Sequence, residues 1–427
     1  MRTAPKKVIN AWTMYDWANS SYSLIIVSAI FPAYYTAIAP ERVSFIGRTY
    51  DRTALASYAI SFSFLVIAIL SPILSSIADY KGNKKAFMRF FCYMGATACI
   101  ALTFLTKENI PFGIVCSIIG SIGFCGSIVF YNSYLPEIAA EEDQDRISAR
   151  GFAMGYIGSV SLMVVCLVFI MLNDSKNLGW GAWPARLSFL AVGLWWAGFA
   201  QITFRHLPPS SPSKQSPEHN IFVNGFHELK KVWQQLQHHP ITKRFLRSFF
   251  FYNMGVQTVM YLATYFASAE LKLASSELII TVLLIQLVAI AGATVFARLS
   301  NRTSNIFSLG LIILIWIGIC IFAYFVRTTM QFYLLATIVG LVMGGVQSMS
   351  RSTYSKLIPP TKDTASYFSF YDVCDKVGTV IGTLSFGFIG EVFGGLRNSV
   401  LALMIFFIVG GILLAFVDMK QKSVVTA

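Results

Sequence analysis

The chain has 427 residues, 56% of them hydrophobic and 12% charged, about half the roughly 25% charge of an ordinary soluble domain. With 36 Phe, 30 Gly and a mean hydropathy of +0.63, this argues against a soluble globule and predicts a polytopic membrane protein, with a large soluble lipid-binding protein as the alternative that the apolar runs must decide. The net charge of +13 is scattered between apolar runs with no continuous basic face, which excludes nucleic acid as a partner. All seven Cys lie in apolar runs without CxxC spacing, which supports neither a metal site nor a disulfide framework.

Taken in chain order, runs of about 20 apolar residues predict spans near 12–39, 54–77, 86–105, 111–134, 151–172, 186–204, 246–267, 278–297, 306–325, 331–350, 367–390 and 398–418. The first is too long for a signal-peptide core and has no small-residue cleavage site after it, so it is expected to be a retained helix. Both tails and the even-numbered loops hold 23 Lys and Arg, against nine in the opposite loops. The positive-inside rule therefore places both termini in the cytoplasm. Of the 33 basic residues, Lys376 alone is expected well inside a span.

The longest connection, Arg205 to Arg244, opens with Pro208, Pro209 and Ser210 after six spans, with six more to follow. It predicts a helical bundle over 1–205, a linker over 206–244 and a second bundle over 245–427. Within the linker, Phe222, Phe226, Leu229, Trp233 and Leu236 recur at helical spacing beside Lys230 and Lys231. They predict an amphipathic helix on the cytoplasmic membrane surface, with docking of a partner helix as the alternative.

The halves read as diverged copies. Asn301 lies 222 positions beyond Asp79, Pro359 lies 223 beyond Pro136, and Tyr252-Asn253 repeats Tyr15-Asp16 at an offset of 237. A six-plus-six parallel repeat accounts for all three.

The loop after span 2 carries Asp79, Gly82, Lys84 and Lys85, with Ser75 where a first glycine would complete the pattern. In this it resembles the signature of the major facilitator superfamily. The resemblance implies an all-α polytopic membrane protein of twelve transmembrane helices in two six-helix bundles, with these four residues gating the halves. Tyr15-Asp16-Trp17-Ala18-Asn19-Ser20, Asn132 through Glu137, Arg146 through Gly151, and Tyr371-Asp372 further resemble the autophagy-related vacuole effluxer-like branch. That branch implies efflux of neutral amino acids, and the absence of a targeting segment points to a bacterial-type cytoplasmic membrane.

Polar residues inside apolar spans supply the candidate mechanism. Asp16 reads either as a proton-coupling or ammonium site, or as an interfacial carboxylate favoured by the helix dipole. In span 11, Asp372 and Lys376 share a helix face at a spacing of four. Pairing between them leaves Asp375 as the net charge, free to take a proton or an ammonium. Asp372 alternatively closes the gate, and Lys376 alternatively meets a substrate carboxylate. Asn19, Asn132, Asn253 and Gln257 offer neutral donors and acceptors to a solute, while Tyr15, Tyr131 and Tyr252 are candidates to close the cavity. Glycine patterns at Gly151-Gly155-Gly158, Gly340-Gly344 and Gly378-Gly382 predict close helix approach, the first of them at the rocking interface.

These readings describe a secondary transporter that needs no cofactor, whose partners are a small solute, protons and membrane lipids, and which acts as a monomer. The alternatives are a receptor or regulator on the same scaffold, or a carrier of lipid or drug-like solutes. No nucleotide-binding loop or catalytic triad pattern is visible, so an enzyme is not expected.

Overall fold

The computed structural model describes residues 2–176, 179–210, 221–273, 275–393 and 395–419. Nearly all of it is helix. The first six long helices are α1 (Lys6–Ile38), α2 (Arg52–Lys81), α3 (Lys84–Leu102), α4 (Ile110–Ser133), α5 (Gln144–Lys176) and α6 (Trp183–His206). After a linker helix (Ile221–His238) come α7 (Pro240–Leu271), α8 (Ser275–Arg302), α9 (Asn305–Phe325), α10 (Thr329–Leu357), α11 (Thr364–Phe393) and α12 (Leu396–Ala415).

Among the described residues, eleven helices are long and apolar enough to cross a membrane. The remaining long helix, α7, has 32 residues and so reaches about 48 Å at 1.5 Å per residue. Its apolar run is interrupted by Asn253 and Gln257, both of which line the central cavity described below.

Local chemistry sets the helix ends. The Asp51 carboxylate caps α2 by accepting from the backbone of Thr53 at 2.9 Å and Ala54 at 3.1 Å, using donors that lack helical partners. Gly82 ends α2 in the left-handed region at φ +64°. There the Asn83 N–H bonds the Ala78 carbonyl at 2.9 Å and the Gly82 N–H bonds Asp79 at 3.2 Å, a Schellman arrangement that only a residue tolerant of positive φ closes cheaply. Thr328 and Gln331 form a capping box at the start of α10.

Two features were not foreseen from the sequence. Residues Tyr22–Ala29 of α1 are wound as a π-helix. A short hairpin, β1 (Arg42–Phe45) paired antiparallel with β2 (Arg48–Asp51), follows α1. Its turn places Ile46 and Gly47 at φ +49° and +73°.

Successive helices reverse direction, so the ends of even-numbered helices and the starts of odd-numbered ones share one face, termed proximal, with the hairpin on the distal face. The first six helices pack around Trp12, Tyr15, Tyr22, Phe189 and Trp196. The last six pack around Tyr252, Trp316, Tyr354, Tyr367 and Phe407. Large apolar side chains such as Leu65, Phe90, Val165, Leu194, Leu314 and Ile405 are exposed. So much exposed apolar surface is untenable in water and natural against lipid.

The small-residue stripes mostly hold each half together, and the α5 stripe reaches the boundary between the halves only at Gly151, where a Cβ would meet Arg351 Nη2 of α10 at 2.8 Å. A Cβ on Gly158 would meet the Trp17 carbonyl oxygen of α1 at 2.5 Å, and one on Gly340 would meet the Ile285 carbonyl of α8 at 2.6 Å.

Candidate functional site

A cavity of about 260 Å³ with charged side chains on its walls lies between the two sets of helices. Asp16, Asn19, Asn132, Asn253, Gln257, Asp372, Asp375 and Lys376 all line it, and so does Arg351. Three carboxylates thus face two cations. Ser28, on the wall towards the distal face, is exposed.

Along one wall, α11 supplies the acid-rich pole. Lys376 Nζ donates to Asp375 Oδ2 at 2.6 Å and stands 3.7 Å from Asp372 Oδ1. The adjacent carboxylate is therefore the main partner, and not the one a turn away that helical spacing suggests. Asn253 and Gln257 from α7 donate to Asp375 Oδ1 at 2.6 and 2.8 Å. These donors draw Asp375 towards α7 and bring Lys376 with it, above the Phe64 ring of α2 at 5.3 Å. Asp372 lies within this cluster and makes no contact with the loop after α2, so its expected gate role is not what the geometry shows.

At the proximal end of the cavity, Asp16 Oδ2 accepts from the Tyr131 hydroxyl at 2.7 Å and from Arg351 Nη1 at 3.2 Å. Asp16 is 7% exposed and Arg351 2%, so the interfacial reading of Asp16 is replaced by a buried ion pair. Arg351 also corrects the expectation that Lys376 is the only basic residue deep in a span. It sits one residue beyond the apolar run drawn for span 10, yet α10 continues to Leu357. Two clues were available: no Gly or Pro interrupts Gln347 to Lys356, and Arg351 follows Gln347 by one helical turn.

Asn19 is buried on the wall, and its Nδ2 has no hydrogen-bond partner among the described residues. Tyr15 is fully buried but does not face the cavity. It packs against Tyr131 and Phe204, with ring centroids 5.2 and 6.1 Å away, because one residue along a helix turns the side chain by about 100°. Tyr131 and Tyr252 are likewise behind the wall. The tyrosines on it are Tyr22, Tyr156, Tyr261 and Tyr371, of which only Tyr371 stood out in the sequence, within the Tyr371-Asp372 motif.

The proximal face is closed by contacts between the halves. Asp79 accepts from the Ser366 N–H and hydroxyl, each at 2.7 Å, and from the Ala365 N–H at 3.3 Å, at the start of α11. Lys84, 1% exposed, lies 3.0 Å from Asp79, pairs closely with Glu137 and donates to Thr364 Oγ1 at 2.6 Å. Lys85 instead donates to the Leu207 carbonyl at 2.5 Å, inside its own half, because the next position on the helix faces α6. It is not part of the closure. A second closure not foreseen from sequence forms where Asp145 meets Lys356, Asn305 and Ser300.

The linker helix crosses this same face. Val232 and Leu236 are buried, Lys231 stands 3.8 Å from Asp363, Gln235 accepts from the Tyr367 hydroxyl at 3.3 Å, and Trp233 packs on Phe370. The side chains of Phe222, Phe226 and Leu229 lie outside the described residues.

Long helices closed at one face over a charged cavity define a membrane transporter, and comparison with known proteins identifies its kind. The chain belongs to the family described as vacuole effluxer Atg22 like, which matches residues 4–426. It is 32% identical over 415 residues to an uncharacterized MFS-type transporter of Bacillus subtilis, YxiO, covering 97% of this chain and 95% of that one. It is 23% identical over 466 residues to autophagy-related protein 22 of Yarrowia lipolytica, covering 89% and 78%.

Among solved structures, the human organic anion transporter MFSD10 superposes with a TM-score of 0.70 at 13% identity, covering 96% of this chain and 100% of that one. The Escherichia coli fucose:proton symporter FucP does so with 0.69 at 15%, covering 97% and 98%. At such identity the likeness shows the fold alone. The protein is a multi-pass membrane transporter of the major facilitator superfamily, a class whose members are carriers, which indirectly supports the reading that it is not an enzyme.

Proposed function

We propose that the protein exports neutral amino acids by alternating access of two six-helix halves, 1–205 and 245–427, with transport coupled to protons. The observation that carries this reading is the Asp375–Lys376 pair, held by Asn253 and Gln257 on the wall of a cavity between the halves. A zwitterion brings one ammonium and one carboxylate, and the cavity presents both signs of charge, carboxylates on α11 and cations on Lys376 and Arg351, with neutral donors beside them. Asp16, Asp372 and Asp375 are the proton-coupling residues of the proposal, while Asn19, Asn132, Asn253 and Gln257 contact the solute. Asp79, Gly82 and Lys84 gate the proximal face.

The excess of Lys and Arg on the proximal loops supports a cytoplasmic proximal face in the cell membrane. The family's description as effluxer-like supports the outward direction. The protein works as a monomer in this reading, since each half already finds its partner within the chain.

Reconstituted vesicles given a panel of tritiated amino acids, with and without an imposed pH gradient, test the proposal. Saturable flux of neutral amino acids that responds to the gradient is expected. Absence of saturable flux for every amino acid would sink it.

A further inference from the structure

Arg351 differs from the other cavity charges in being carried by one half and held by the other. It lies on α10, yet its Nη2 donates to the Ser148 carbonyl at 2.7 Å and its Nε to Ser148 Oγ at 2.9 Å on α5. Its Nη1 is shared between Asp16 Oδ2 at 3.2 Å and Asn132 Oδ1 at 3.3 Å. The rings of Phe152 and Trp12 flank it at 4.1 and 4.9 Å. The Ser148 bonds are short; the two from Nη1, on the cavity side, are long. Asp16 meets Arg351 through one oxygen that already accepts from Tyr131, and not through the paired contact that a guanidinium and a carboxylate prefer.

Opening the proximal face takes Arg351 away from Asp16, Asn132 and Ser148 together. A buried guanidinium deprived of its anion is strongly destabilised, so the movement requires a substitute anion that can travel with α10. We propose that Arg351 binds the carboxylate of the transported solute, and that Asp16 holds the place of that carboxylate in the structure described above.

This inference rests on the amino-acid transport reading and deepens it by fixing which way the zwitterion lies. The α11 pole has two carboxylates for one ammonium, so it takes the solute's ammonium. Lys376, engaged by Asp375 and Asp372, is not the partner of the carboxylate. Arg351 offers a planar fork that can replace one long bond with two parallel ones. A solute without a carboxylate leaves Arg351 unmatched and is rejected.

Counterflow in reconstituted vesicles tests this with tritiated neutral amino acids, each compared with its own carboxamide. The wild type is expected to prefer the amino acid by on the order of 10-fold or more, as a site built for a polar group does. Arg351→Gln is expected to erase that preference. Asp16→Asn removes the internal competitor and is expected to lower the KM for amino acids severalfold, a change that a merely structural role would not produce and that does not depend on the Arg351 variant folding. Equal carriage of acid and amide by the wild type, a preference surviving in Arg351→Gln, or an unchanged KM in Asp16→Asn overturns the assignment and leaves transport itself standing. No flux of any amino acid overturns both.

Discussion

Lys356 Nζ, near the end of α10, donates to Asp145 Oδ2 at the start of α5 at 2.7 Å, although 211 positions separate the two residues. The same carboxylate gathers Ser300 Oγ and Asn305 Nδ2, each at 2.8 Å, so three elements of the second half converge on one acid of the first. Asp79 does the corresponding work at the other edge of the proximal face, where it receives the start of α11. Each closure therefore joins one half to the other through a buried carboxylate.

Removing Asp145 takes from Lys356 its buried carboxylate and leaves the Asn305 amide oxygen at 3.0 Å, and breaking a buried pair costs about 3–5 kcal/mol. Asp145→Ala is expected to lower the melting temperature in detergent. It should also raise maleimide labelling of a cysteine placed at Ser352, which is fully buried on α10. Unchanged melting and unchanged labelling would show that this contact does not hold the face closed.

Proton coupling through Asp16 and Asp375 makes a prediction about two assays on the same vesicles. Asp16→Asn and Asp375→Asn are expected to abolish uptake driven by a pH gradient, since Asn keeps the shape and cannot exchange the proton; counterflow is expected to survive in Asp16→Asn and to weaken in Asp375→Asn, which also removes one carboxylate of the ammonium pole. If both variants retain the wild-type pH dependence, the coupling assignment is wrong.

The turn after α2 depends on a left-handed residue at Gly82. An L side chain there costs about 1–2 kcal/mol, so Gly82→Ala is expected to destabilise the protein by that amount and Gly82→Asn by less. Thermal unfolding of the two variants side by side decides it, and equal stability of all three proteins would contradict the cap geometry.

Close packing of α5 on α1 is equally testable. Gly158→Ala drives a methyl group against the Trp17 backbone, which cannot swing aside as a side chain can, and is expected to lower both folded yield and melting temperature. Gly198→Ala on the exposed face of α6 meets nothing within 4 Å and is expected to be neutral or stabilising, by about 0.5–1 kcal/mol, from helix propensity alone. A similar loss in both variants would point away from packing.

The membrane class and the long helices were legible because a lipid-spanning helix must be apolar over a fixed length. The acid-rich pole was legible too, as Asp372, Asp375 and Lys376 stand out against an apolar background. What hydropathy could not show is the proximal end of each helix, where the chain stays helical after its apolar run has ended. Asp145, Arg351 and Lys356 all sit in those extensions. Each is stabilised by a partner more than 200 positions away, a relationship that no local window contains. Tyr15 failed as a cavity residue for the opposite reason: its type was suggestive, but only the phase of the helix decides which way it points.

The π-wound stretch Tyr22–Ala29 divides α1 into a proximal piece carrying Asp16 and a distal piece, Ile30–Ile38. Such winding accommodates an additional residue within the hydrogen-bond ladder, a dislocation that can shift along the helix by exchanging one set of backbone bonds for another. A one-residue shift rotates the distal piece by about 100° relative to the proximal one. The Asp16 end of α1 can thereby keep its register while the distal piece turns.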